Sequence, residues 1–89
     1  MKTTKNGQEV QLRNDLVAKG LKALQGNDDP VLFERLKQVA ELYSQFGGYE
    51  QSLVIREKLY ENRKEILGEN HPDTLKELDE LEEVKGKIG

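Results

Sequence analysis

The residues of this chain that come nearest to a reactive group lie together in Glu69, Asn70, His71 and Asp73, around Pro72. An imidazole between carboxylates could hold a metal ion or share a proton with a substrate. A metal site needs three or four converging ligands, however, and this stretch offers one ring nitrogen among flexible acids. A base needs a nucleophile or a substrate proton within reach. The two serines, Ser44 and Ser52, both fall in expected helices, and His71 belongs to a connector at the far end of the third helix from Ser52. No glycine-rich phosphate loop ending in Lys-Ser or Lys-Thr occurs. The expectation is a chain that is not an enzyme, with no catalytic residues, no metal and no cofactor. On this reading the His71 stretch caps one helix and turns the chain out of another.

The elements around it support that reading. At 89 residues there is room for one small domain. Apolar and charged residues each make up 35% of the chain, which suits amphipathic helices with one buried stripe better than a layered sheet. With no cysteine, disulfides and thiolate ligands are excluded and packing alone must hold the fold. No apolar run is long enough to span a bilayer, and the opening MKTTKNGQEV has no hydrophobic stretch of the secretory kind, so a cytoplasmic location is expected and no membrane partner.

Residues 1–7 read as a flexible N-terminus and residues 8–89 as a single helical domain. The first helix, about 8–25, carries Val10, Leu12, Leu16, Val17, Leu21 and Leu24, with Gly20 weakening it. Gly26 can take the left-handed turn after it, Asp28 or Asp29 can cap the next helix, and Pro30 fits a first turn. The second helix, about 30–46, shows the clearest three-and-four spacing, in Phe33, Leu36, Val39, Ala40, Leu42, Tyr43 and Phe46. The third, about 49–67, carries Leu53, Ile55, Leu59, Tyr60 and Ile66 and is closed by Gly68. The fourth, about 72–86, opens at Pro72 or at a capping box of Thr74 and Glu77, and bears Leu75, Leu78, Leu81 and Val84.

These start and stop signals recur. Gly26 and Gly68 are 42 residues apart, as are Pro30 and Pro72. The same interval superimposes Phe33 on Leu75, Leu36 on Leu78, Val39 on Leu81 and Leu42 on Val84. A period of this length in a helical sequence marks a stack of helical hairpins. The stretches VAELYSQFGGYEQS and NRKEILGENHPDTLKEL, with Ala40, Tyr43, Gly47 and Tyr49 in the first and Leu67, Gly68, His71, Pro72, Asp73, Thr74 and Leu75 in the second, resemble the tetratricopeptide repeats of the longer-period kind found in kinesin light chains. The resemblance spans roughly residues 36–81. It implies an all-α, four-helix stack of antiparallel hairpins, a fragment of an α-solenoid, that binds proteins or peptides. Ser52, Arg56, Leu59, Glu82 and Lys85 depart from the family pattern, and the last two suit either a terminal unit with a wet outer face or a degenerate repeat.

In that family the first helix of each hairpin lines a concave face where peptides lie. The positions implied here are Lys37, Glu41, Ser44, Gln45, Asp79 and Glu83, a mixed to acidic surface suited to a basic or polar extended segment. Open array ends, with Phe33, Phe46 and Tyr60 as aromatic anchors, could instead join copies into a homo-oligomer as a structural unit. A third reading makes the chain a small regulatory protein. Residues 1–26 hold five Lys/Arg (Lys2, Lys5, Arg13, Lys19, Lys22) against two acids, while the remainder holds nine against fifteen. Three surplus charges with no aromatic among them are a weak footprint for nucleic acid.

Overall fold

The computed structural model describes residues 16–88, and the expected flexible segment 1–7, the start of the first helix, and Lys2, Lys5 and Arg13 lie outside them. The described residues form four helices and no strand: α1 over 16–24, α2 Pro30–Gln45, α3 Tyr49–Leu67 and α4 Pro72–Ile88. None is long and apolar enough to cross a membrane.

Each helix start has a local cause. Asp29 caps α2, its Oδ1 accepting from the backbone N–H groups of Val31 at 3.1 Å and Leu32 at 3.2 Å, with Pro30 in the first turn where its missing N–H costs nothing. His71 does the same for α4: its Nδ1 accepts from the N–H of Asp73 at 3.1 Å and its carbonyl accepts from that of Leu75 at 3.0 Å. The capping box expected of Thr74 and Glu77 does not form. The helix begins two residues earlier, and both side chains are buried instead. Gly68 ends α3 at φ 99° and ψ 157°, a region reserved for glycine, rather than in the left-handed helical turn expected. Its N–H still meets the Lys64 carbonyl at 3.0 Å.

The cap on α4 can be tested directly. Replacing His71 with alanine removes the acceptor and is expected to cost about 1 kcal/mol, read as a lower urea midpoint. His71→Asp, which borrows the cap of α2, should stay close to the parent. A His71→Ala variant as stable as the parent would show that the imidazole contributes nothing.

The core is one cluster of Leu24 from α1, Leu36 and Ala40 from α2, and Ile55 and Leu59 from α3, with Val17, Leu21, Leu32, Phe33, Val39 and Tyr43 packed around it. Gly20 is explained by the approach of α1 to α2: a Cβ there would lie 3.1 Å from Cδ2 of Leu36. Ala40 and Ser52 are fully buried where α2 meets α3. The Ser52 hydroxyl donates to the Ala40 carbonyl at 2.8 Å and pairs with that of Ser44 at 2.8 Å, so a polar residue is accommodated where the resembled family has alanine. Arg63, near the end of α3, lays its guanidinium 4.4 Å from the ring centre of Phe33 at the start of α2. Lys87, at the end of α4, sits 5.7 Å from the ring of Tyr49 at the start of α3.

The buried face of α4 differs from the expected one. Leu75 is exposed and Leu78 half-buried, while Thr74, Glu77, Leu81 and Val84 turn inward. With this face inward Glu77 and Glu80 reach Lys37 of α2, and Glu80 reaches Arg56 of α3.

Candidate protein-interaction surface

The six positions implied as a concave face do not share one environment. Glu41, Gln45, Asp79 and Glu83 are exposed. Ser44 is half-buried and turned to α3 by its hydrogen bond with Ser52. Lys37 is drawn across to α4, its ammonium 3.5 Å from both Glu77 Oε2 and Glu80 Oε1, with its side chain 15% exposed. What remains open of the six is therefore three carboxylates and an amide, and the ion pairs of Lys37 form a floor between α2 and α4.

That floor is a polar seam. Arg56, which the resembled family would replace with a large apolar group, is buried and donates from Nη1 to Glu80 Oε2 at 2.9 Å. Burial first, and the Glu80 carboxylate second, push the Glu77 carboxyl above its ordinary 4.5, outweighing the pull of Lys37 and Arg56. Burial alone would lower the Lys37 ammonium, but the Glu77 and Glu80 carboxylates reverse this and hold it above 10.5. Three buried polar atoms in this region, Arg56 Nε, Thr74 Oγ1 and Glu77 Oε1, have no hydrogen-bond partner among the described residues. Each such atom typically costs about 1–3 kcal/mol.

A second polar junction went unread in the sequence. Asn62 is buried in α3, and its Nδ2 donates to the carbonyls of Leu24 at 2.8 Å and Asn27 at 3.1 Å. Its Oδ1 accepts from Arg63 Nε at 3.2 Å and Nη2 at 2.6 Å, and Arg63 also reaches Asp28 at 3.1 Å. The available signal was spacing: Ile55, Leu59, Asn62 and Ile66 fall on one stripe of α3, with Asn62 its polar member.

The aromatics also separate. Phe33 lies under Arg63, Tyr60 is 5.9 Å from the Lys64 ammonium, and Phe46 is 85% exposed. Phe46 borders a groove of about 540 Å³ with Leu16, Val17, Val39, Leu42, Tyr43 and Gly48. At the opposite edge of the fold α4 presents Glu82 and Lys85, both exposed. His71 is occupied as a cap, and among the described residues no group of three or more His, Cys, Asp or Glu could hold a metal ion. No protein-family model, curated protein or solved structure matches the chain.

Proposed function

We propose that the chain is a non-enzymatic protein-interaction module, a tetratricopeptide-like adaptor whose α2 and α4 share one face for an extended partner. In this reading α2 and α3 form an antiparallel hairpin, with α1 and α4 as halves of its neighbours. The observation that carries it is the equivalence of the two helix starts. Asp29 and His71, again 42 residues apart, each offer a side-chain acceptor to the N–H two residues on, ahead of Pro30 and Pro72. Different residue types performing one task at the repeat interval support a repeated unit over a chance spacing. The Arg63–Phe33 and Lys87–Tyr49 contacts, each joining a helix end to a helix start, are those of alternating helix directions.

Glu41, Asp79 and Glu83 favour a basic or polar segment as partner. Amide spectra of the isotopically labelled chain, titrated with an extended Lys/Arg-rich peptide, a Glu/Asp-rich peptide and random duplex DNA, test this. The basic peptide alone should shift the signals of Glu41, Gln45, Asp79 and Glu83. Silence from both peptides overturns the proposal. DNA binding that falls steeply with salt transfers it to the regulatory reading, for which α1 contributes exposed Lys19 and Lys22.

A further inference from the structure

The four helices are not held alike. The continuous apolar cluster draws its buried members from α1, α2 and α3, and none from α4. The inward face of α4 is half polar, with Thr74 and Glu77 beside Leu81 and Val84. Thr74 Oγ1 and Glu77 Oε1 on that face, and Arg56 Nε on α3, lack hydrogen-bond partners among the described residues. The Lys37 ammonium reaches Glu77 and Glu80 only at 3.5 Å. A helix docked through such a seam gains less than one docked through apolar residues alone, and its polar groups are better satisfied in water.

We propose that α4 is a clasp that undocks from α2 and α3 as one unit before those two helices unfold, and that the charge on Glu77 sets its grip. Around Glu77 stand Lys37 of α2, with Glu34 acting on that lysine, Arg56 of α3, and Glu80 on α4 itself. The docked carboxyl holds its proton more tightly than a solvated one, because burial and Glu80 disfavour its charged form. Docking therefore takes up a proton. The grip strengthens as pH falls through the docked value towards 4.5, and is weakest, and constant, above the docked value. Release would uncover Arg56 and the side of α3 that α4 covers.

Hydrogen exchange on the whole chain, with rates corrected for intrinsic pH dependence, tests the clasp. At about pH 7.5 the α4 amides should be at least about tenfold less protected than those flanking Leu36 and Leu59. Glu77→Gln keeps the shape and cannot ionise. It should raise α4 protection about threefold or more at neutral pH, with the ratio to the parent shrinking towards 4.5. Taking the ratio of variant to parent cancels every effect the two chains share and isolates Glu77. Thr74→Val, which removes an unpartnered hydroxyl, should raise α4 protection by the same factor at every pH. Exchange of α4 together with α2 and α3, or a Glu77→Gln ratio indifferent to pH, overturns the proposal.

Discussion

Leu59→Ala is expected to lower stability by about 2–5 kcal/mol, the range for emptying a fully packed leucine site. Leu59 is 0% exposed and belongs to the cluster where α3 meets Leu24, Leu36 and Ala40. A domain of this size commonly has only about 4–13 kcal/mol in total, so the variant should be partly unfolded at moderate temperature. A urea titration followed by helical circular dichroism gives the loss as a fall in midpoint. Val54→Ala is the control, because Val54 lies on the same helix but is 54% exposed and should cost less than about 0.5 kcal/mol. A Leu59 variant that melts with this control would remove Leu59 from the centre of the fold.

The second large effect is expected at Asn62. Asn62→Asp preserves the size of the side chain while turning a donor that serves two carbonyls into an oxygen that repels them. Both carbonyls, of Leu24 and Asn27, lose their bond, and a buried carboxylate faces them with only Arg63 to offset it. A loss of at least about 2 kcal/mol is expected at neutral pH. Part of it should return on acidification, since a protonated carboxyl can donate again. Asn62→Ala, which leaves the carbonyls unpaired but adds no charge, should cost less than Asn62→Asp. The reverse order would show that the amide serves Arg63 more than the end of α1.

The contrast between these residues shows what the sequence made legible. The all-α fold rests on punctuation: Asp29 before Pro30, the glycine turns, and apolar residues at threes and fours are each dictated within a few residues of chain. Long-range polar choices are different. Thr74 and Glu77 read as a capping pair because their types favour helix starts, but both are buried, Glu77 beside Lys37 of α2. Spacing puts Asn62 on the apolar stripe of α3, but its type gives no sign of the task, because the carbonyls it serves lie 38 and 35 residues away. The family resemblance groups Lys37 with the open positions, and it cannot show that α4 supplies two carboxylates to that lysine. Glu41, Gln45, Asp79 and Glu83 are exposed in the fold, but exposure alone does not choose a ligand. In the proposed reading their charge is what favours a basic or polar partner.

The bond from Asn62 to the Leu24 carbonyl spans 38 residues. At a synthesis rate of about 5–20 residues per second, the Leu24 carbonyl is made roughly 2–8 s before the side chain that anchors it. Leu24, which becomes fully enclosed, gains its core neighbours Ile55 and Leu59 only within the same interval. The end of the first helix is thus completed by the third, and a chain interrupted short of α3 leaves it open.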